Sequence, residues 1–372
     1  MAVGKMFPVS YLKYSFDEDT KTLTSKKKYC DDYTEVTSGT TTFSNGWYLL
    51  SSSQSFDKPI TVSGTVNLIL LDGYTLTANK GIDLPEGNTL NIFAQSEGAN
   101  AGKLKANAIT ENHVAGIGGR YGKACGEVII YGGSVEAHGG IFGAGIGGGD
   151  EGAGGSVTIY GGTVEAHGGF DGAGIGGGYK GAGGTVTIYG GTVTARGGDG
   201  AAGIGVGYTG VGGEVIIYGG TVEAHGGEFA AGIGGGYTGS GVTVSIYGGM
   251  VEANGDDAAG IGAGRSGNGN GTLKIGDGVK VYGGDSKNPT TVIATGPKDN
   301  VESRPRYMIA GGHVKGNAND DVRVNAADIV EMVNAKNDKA STRFVLKNAD
   351  IDGDKKITQS DIDAVVKIIL KK

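Results

Sequence analysis

Several residue types are scarce in this chain. Among 372 residues there are two cysteines, six prolines and one tryptophan, and no apolar run approaches the length of a membrane span. The two cysteines, Cys30 and Cys125, lie far apart in sequence, which leaves one disulfide or two free thiols open. Basic residues are outnumbered, 32 against 39 acidic ones, and the formal net charge of −7 argues against nucleic acid as a partner. Nucleophile elbows, P-loops and clustered cysteine motifs are also missing, which excludes those classes of site.

Glycine, by contrast, is abundant, with 77 residues, and most of it belongs to a repeat. Residues 144–149 followed by residues 155–169 show the unit. The alanine that opens each Ala-Gly-Ile-Gly segment recurs with a spacing of 29 residues four times and then 28, at Ala115, Ala144, Ala173, Ala202, Ala231 and Ala259. A fixed period of this size indicates a solenoid or a propeller.

Each unit contains three short apolar pieces separated by glycines. Within them the residues alternate: Val157 and Ile159 point to one side, and Thr158 and Tyr160 to the other. Three strands joined by glycine corners describe one coil of a right-handed parallel β-helix, whereas a propeller blade needs about four strands. We therefore predict an all-β solenoid with ladders of stacked isoleucines inside, followed by a small helical module.

The repeat also predicts how the chain divides. Residues 1–57 are polar and not repetitive, and we expect strands there that cap the open end of the solenoid. The coil pattern runs in regular or degenerate form through residues 58–313, with a closing strand expected at residues 306–309. Residues 314–372 form a separate module.

Outside the regular units, four segments carry a resemblance: residues 34–37, 46–48, 60–73 and 90–98. Together with the Ala-Gly-Ile-Gly units they resemble Gly-rich β-helix surface proteins of anaerobic bacteria, over residues 30–310. The resemblance implies a pectate-lyase-like solenoid, an extracellular or cell-surface location and carbohydrate binding. It brings no agreed catalytic residues.

Two acidic loops, each followed by a helical pattern, occupy the C-terminal module. In the second loop, aspartates stand at positions 1, 3, 5 and 12 and a backbone carbonyl at 7, the oxygen spacing that surrounds Ca²⁺. The predicted calcium ligands of this loop are Asp350, Asp352, Asp354, Lys356 and Asp361. The first loop has two fewer carboxylates, and weaker binding is expected there from Asn317, Asn319, Asp321, Arg323 and Asp328. The alternative reading is that both loops are solvated helix caps.

The second loop is not a strict EF-hand, because Lys355 stands at position 6, where an EF-hand has glycine. With aspartate at position 12 and a duplicated loop and helix, residues 316–372 resemble a type I dockerin. The resemblance implies docking onto a cohesin-like module through loop positions 10 and 11. Those positions hold Ala326, Ala327, Gln359 and Ser360 in place of the usual Ser-Thr pair, so the cohesin type stays open.

The third strand of each unit presents an outward column of charged side chains. In two adjacent coils this column brings together two carboxylates and two imidazoles, which are supplied by Glu136, His138, Glu165 and His167. Such a donor set suits Zn²⁺ or Cu²⁺. The next coil breaks the column with Thr194 and Arg196, and His225 follows. Stacked carboxylates also match the separation in a retaining glycosidase, but a flat face offers no cleft to set their pKa values apart. A solvated, duplicated face is the simpler interpretation.

Aromatic columns suggest a second kind of site. The second strands align Tyr131, Tyr160, Tyr189, Tyr218 and Tyr247 in an outward file, which stacking alone explains and which would also suit a glycan. The predicted glycan-binding candidates are Tyr160, Tyr189, Tyr218, His167, Arg196 and His225. Similar columns form at the corners, from Tyr179, Tyr208, Tyr237, Asp171, Asp199 and Glu228, and the sequence does not rank these surfaces.

Three functions fit these observations. The first is an extracellular, non-catalytic polysaccharide-binding or adhesive β-helix, attached to a surface assembly through a calcium-dependent module. The second is a polysaccharide lyase or glycoside hydrolase on the same solenoid, and the third is a structural spacer without a ligand.

Overall fold

Three parallel sheets make up most of the structure, a computed structural model that describes residues 7–269, 271–286, 289–302, 304–311, 326–337, 339, 344, 346–351 and 355–370. Each coil of the chain adds one strand to each sheet in turn. The predicted parallel β-helix is therefore present, with three short strands in each regular coil.

The parallel strands stack in sequence order within each of the three sheets. The first sheet contains Thr42–Phe43, Ile60–Val62, Ile82–Asp83, Ile117–Gly118, Ile146–Gly147, Ile175–Gly176, Ile204–Gly205, Ile233–Gly234 and Ile261–Gly262. The second contains Thr34–Glu35, Gly46–Leu50, Thr65–Leu70, Thr89–Ala94, Glu127–Ile130, Ser156–Ile159, Thr185–Ile188, Glu214–Ile217, Thr243–Ile246 and Thr272–Ile275. The parallel part of the third contains Gln54–Phe56, Thr75–Ala78, Lys103–Asn107, Ser134–His138, Thr163–His167, Thr192–Arg196, Thr221–His225 and Met250–Asn254.

Equivalent residues of successive coils lie directly opposite one another in these sheets. Ile175 pairs with Ile146 on one side and with Ile204 on the other, and all three side chains are buried. The second sheet repeats the pattern with Ile159 and Ile188. The predicted ladders are confirmed, and they form one continuous apolar core along the axis.

The glycine that ends each regular first-sheet strand has a steric cause, which Gly176 illustrates. Its φ is +136°, and a Cβ atom there would lie 2.0 Å from the carbonyl oxygen of Gly205 in the next coil. Any side chain would therefore push adjacent coils apart, and the left-handed backbone favours glycine as well.

The two ends of the solenoid differ from the prediction in part. The first parallel strands begin at Thr34–Glu35, so the coils start before residue 58. The strands Val9–Asp17 and Thr22–Cys30 form an antiparallel hairpin, here called the N-terminal hairpin. At the other end, Tyr307–Gly311 confirms the expected closing strand and pairs antiparallel with Met250–Asn254 and Lys280–Gly284. Thr291–Thr295 then completes the third sheet.

The C-terminal segment contains helices α1 (Ala326–Lys336), α2 (Leu346–Ala349) and α3 (Gln359–Leu370). They have a small core of their own, formed by Met332, Ala349, Ile362 and Val365. Within the described ranges no helix is long and apolar enough to cross a membrane. Both cysteines are buried and free, which decides between the two alternatives left by the sequence.

Candidate functional site

The tyrosine file on the second sheet does point outward, but the N-terminal hairpin lies over it. The ring of Phe16 sits 4.5 Å from the ring of Tyr189 and 4.8 Å from that of Tyr218, measured between centroids. The ammonium group of Lys21, at the hairpin turn, lies 5.3 Å from the Tyr218 ring. Leu12 and Leu23 of the hairpin line the same shallow pocket as Tyr160. The chain itself therefore contacts this predicted glycan strip.

The outward face of the third sheet shows paired side chains rather than one converging cluster. His138 Nε2 lies 3.1 Å from Glu136 Oε1, and His167 Nε2 lies 2.9 Å from Glu165 Oε1. The two imidazole rings stack with their centroids 4.6 Å apart. Lys105 donates to the second oxygen of Glu136, and this hydrogen bond lowers the pKa of that carboxyl group.

No group of three or more His, Cys, Asp or Glu side chains among the described residues is arranged to hold a metal ion. A transition metal on this face thus stays a prediction. Arg196 is exposed and lies in register between His167 and His225, as the repeat requires. The amide of Asn254 is 3.3 Å from His225 Nδ1.

A different arrangement lies beside the first sheet, where the loop before each strand contacts the loop that follows the strand of the next coil. Two positions of each unit take part. The residue two places before the opening alanine of one coil meets the residue six places after the opening alanine of the next coil. The backbone N–H of Asp150 donates to the carbonyl of His113, that of Tyr179 to Phe142, and that of Tyr208 to Asp171. We call this double column the corner ridge; its members are His113, Phe142, Asp171, Gly200, Phe229 and Asp257, with Tyr121, Asp150, Tyr179, Tyr208, Tyr237 and Arg265.

Aromatic rings follow one another along the corner ridge. Centroid distances are 5.6 Å from Phe142 to Tyr179, 6.0 Å from Tyr179 to Tyr208 and 5.3 Å from Tyr208 to Tyr237. These rings are tilted and only partly buried, and the neighbouring Phe170 is 59% exposed. The corner ridge therefore combines ordered aromatic rings with an accessible apolar surface, which is typical of a ligand-binding surface.

Two buried carboxyl groups lie within the corner ridge. Asp150 is only 6% exposed; its Oδ2 is 2.7 Å from His113 Nδ1, while its Oδ1 is buried without a hydrogen-bond partner. Asp171 is 9% exposed, and its Oδ1 is also buried and unpartnered. Burial raises the pKa of the Asp171 carboxyl group, and the charges of Asp199 and Asp150 raise it further. Such unsatisfied groups are rare in folded proteins and call for an explanation.

Asp171→Asn should raise the stability of the β-helix at neutral pH by about 1–3 kcal/mol, because it removes a buried, unsatisfied charge. The raised pKa of Asp171 means that the folded state binds its proton more tightly than the unfolded chain. The penalty is therefore absent below the unfolded pKa of about 3.9 and grows as the pH rises through the folded pKa. The melting temperatures of the parent and of Asp171→Asn, measured from about pH 3 to pH 8, should differ more as the pH rises, with the variant the more stable. A difference that is independent of pH would contradict this account.

A cleft of about 670 Å³ lies at the N-terminal end of the corner ridge. His113 and Tyr121 line it together with Arg120, whose Nε is 3.1 Å from Asp83 Oδ2. Asn112 is a further lining residue. The corner ridge thus continues into a cleft that charged, aromatic and apolar side chains line together.

Sequence reasoning found part of this site and missed part. Tyr179, Tyr208 and Asp171 were among the predicted corner columns, whereas His113 and Asp150 were not. The missed contacts join different positions of neighbouring units, so a column of equivalent residues does not display them. One feature of the sequence could have pointed to His113: it is a histidine that lies outside the repeated Val-Glu-Ala-His segment.

Part of the second acidic loop, where calcium binding is predicted, lies among the described residues. Lys355, at position 6, has a φ of +65° and donates its backbone N–H to Asp350 Oδ2 at 2.7 Å. Asp361 is buried; its Oδ1 accepts from the N–H of Ile351 and its Oδ2 from that of Thr358. The described part of the loop thus places backbone N–H groups against the carboxylates at positions 1 and 12, and Asp361 also caps helix α3.

Other predicted calcium ligands fall where the structure gives no description. Asp352 and Asp354 of the second loop lie outside the described residues, as do Asn317, Asn319, Asp321 and Arg323 of the first. Asp328, the twelfth residue of the first loop, is described and is wholly buried in the first turn of α1. It matches the place of Asp361 in α3.

Comparison with known proteins supports the fold. A family model described as a beta helix repeat matches residues 128–150, 157–179, 186–208, 215–237 and 244–265. No curated protein and no solved structure shows a significant match to the chain. The five matched repeats agree with the three parallel sheets, and together they support a right-handed parallel β-helix fold.

Proposed function

We propose that the protein is an extracellular, non-catalytic polysaccharide-binding β-helix, and that the corner ridge is its binding surface. The observation that carries this proposal is the run of tilted, partly exposed rings at Phe142, Tyr179, Tyr208 and Tyr237. Rings of this kind present apolar faces to which the faces of sugar rings stack. Their spacing of 5.3–6.0 Å along Tyr179, Tyr208 and Tyr237 is comparable to the length of one pyranose in an extended chain.

Two observations favour this surface over those predicted first. The N-terminal hairpin already packs against Tyr189 and Tyr218, and it therefore covers part of the tyrosine file. On the third sheet, the stacked histidines are engaged with Glu136 and Glu165. The corner ridge leaves its aromatic rings partly open to solvent along several coils.

Tyr208→Ala is expected to weaken the binding of a matching glycan about tenfold, because it removes a central stacking ring. Tyr179→Ala should have a similar effect. Tyr189→Ala is the matched control, since its ring lies under the hairpin and its loss should leave affinity unchanged. Isothermal titration of the full chain, with an oligosaccharide first identified on a glycan array, measures all three. Equal losses in the Tyr208 and Tyr189 variants would contradict the placement.

An enzyme on the same solenoid is the second candidate, and the His113–Asp150 pair at the edge of the cleft is the observation in its favour. A buried carboxylate on Nδ1 orients the imidazole and leaves Nε2 for proton transfer. An assay of the array-positive glycan for new reducing ends or unsaturated products separates this candidate from binding alone. Product formation that His113→Ala abolishes would establish the enzyme.

We propose further that the C-terminal segment is a dockerin-like calcium module that attaches the β-helix to a cohesin-like partner. Asp350, Asp352, Asp354 and Asp361 would hold the ion in the second loop with the carbonyl of Lys356. The hydrogen bonds that the backbone N–H groups of Lys355 and Ile351 donate to Asp350 and Asp361 support this assignment. Bound calcium would offset the repulsion among the carboxylates and order the loop on its helix.

Removal of calcium with a chelator should abolish a separate, low-temperature transition in calorimetry and leave the transition of the β-helix in place. Asp350→Ala should lose calcium binding at the second loop. The control is Asp363→Ala, which removes an exposed carboxylate that bonds to Gln359 on the surface of α3. An unchanged calorimetric trace, or an Asp350→Ala protein that still binds calcium there, would overturn the proposal.

A further inference from the structure

The middle of the corner ridge, between Phe142 and Phe229, is lined by acidic groups. Asp171 lies within it, and Asp199 and Glu228 stand exposed beside it on adjacent coils. Burial raises the pKa of the Asp171 carboxyl group, and the nearby charge of Asp199 raises it further. A ligand on this stretch must therefore approach a negative surface.

Cations near the same stretch are already paired. Lys180 Nζ is 3.2 Å from Glu151 Oε1 and 4.8 Å from the centroid of the Tyr179 ring. Arg265 donates to Asp257 Oδ2 at 3.3 Å. Neither cation is left to neutralise a bound carboxylate or sulfate without breaking an existing ion pair.

One acidic side chain of this stretch, Asp171, has a buried carboxylate oxygen that accepts no hydrogen bond. A Cβ atom on Gly200 would lie 3.3 Å from Asp171 Oδ1 and 2.2 Å from the ring of Tyr208. The Tyr208 ring and Asp171 Oδ1 thus both border the space that a side chain on Gly200 would fill, and this oxygen is buried and lacks a hydrogen-bond donor. A hydroxyl group that enters beside a slightly rotated Tyr208 ring would supply that donor.

From these observations we infer that the corner ridge selects uncharged glycan chains, and that Asp171 is the residue that determines this specificity. The inference rests on the proposed function. A neutral pyranose offers a face to Tyr179 or Tyr208 and hydroxyl donors to Asp171. A uronate or sulfated chain would place its anions against Asp171 and Asp199, where like charges repel.

An anionic chain has a different surface available on this protein. Arg196 is exposed on the third sheet in register with His167 and His225, and the acidic corner ridge lies on another part of the coil. Binding at Arg196 would be independent of Asp171 and would weaken in high salt. The two surfaces can therefore be distinguished by substitution.

The test is titration of the full chain with neutral probes (cello-, manno- and xylo-oligosaccharides) and anionic probes (oligogalacturonate and sulfated oligosaccharide). We expect at least one neutral probe to bind about tenfold more tightly than either anionic probe. Asp171→Asn keeps the side-chain volume and should weaken neutral binding about tenfold, with no loss of melting temperature. Asp199→Asn is the matched control and should change neutral affinity little, because Asp199 is exposed.

The possible results distinguish failure of this inference from failure of the proposed function. Preferential binding of an anionic probe that Arg196→Ala abolishes would overturn the inference and place the glycan site elsewhere. Neutral binding that needs Tyr208 but is unaffected by Asp171→Asn would overturn the role of Asp171 and leave the proposed function standing. Failure of every probe, neutral and anionic, would contradict the proposed function and the inference together.

Discussion

Ile175→Ala is expected to lower the free energy of unfolding of the β-helix by about 2–5 kcal/mol, through lost burial and the cavity left behind. The side chain is fully buried and stacks between Ile146 and Ile204 in the central ladder. Ile175→Asp should prevent folding, because a charge would be buried there without a partner. Denaturant unfolding followed by circular dichroism measures both changes.

The matched control for the ladder is Thr192→Ala. Thr192 is exposed at the start of a third-sheet strand, and its loss should change stability by less than about 0.5 kcal/mol. A folded Ile175→Asp protein with the heat resistance of the parent would mean that the assigned register is incorrect.

Tyr11→Ala is expected to detach the N-terminal hairpin from the second sheet at a cost on the order of 3 kcal/mol. Tyr11 is 8% exposed, and its ring packs 5.0 Å from Trp47 and 4.9 Å from Phe93. The hairpin pairs with no other strand of the described chain, so side-chain contacts hold it, those of Tyr11 together with those of Phe16. Detachment should appear as rapid trypsin cleavage at the lysine run 26–28 and as new binding of a hydrophobic dye to the uncovered tyrosine file.

Tyr29→Ala is the control within the same hairpin. Its side chain is 67% exposed, so cleavage and dye binding should stay at the level of the parent protein. Equal behaviour of the Tyr11 and Tyr29 variants would show that the hairpin is not held by this aromatic contact.

Most of the β-helix could be predicted from the sequence, because one coil is repeated almost unchanged. Strict alternation placed Ile159 inside and Tyr160 outside, and the period of the alanines placed equivalent residues in register. Each of these features depends on local geometry that every unit repeats. The closing strand Tyr307–Gly311 was also predicted as a strand, but its antiparallel pairing was not.

The surfaces were harder to predict than the core. The alternation predicts that Tyr189 points outward, but it does not predict that Phe16, far away in sequence, packs against its ring. For the same reason the hairpin was expected at the end of the solenoid, whereas it packs along the second sheet. The corner contact between His113 and Asp150 depends on how two loops of different coils fold toward each other, which no period reveals.

Hydrogen–deuterium exchange of the full chain, with and without a saturating neutral oligosaccharide, tests the glycan site most directly. Slower exchange is expected in the corner segments 141–143, 170–180 and 199–208, with unchanged exchange at the second-sheet strands Thr185–Ile188 and Glu214–Ile217. Protection confined to the second or the third sheet, with the corner segments unchanged, would contradict this placement of the site.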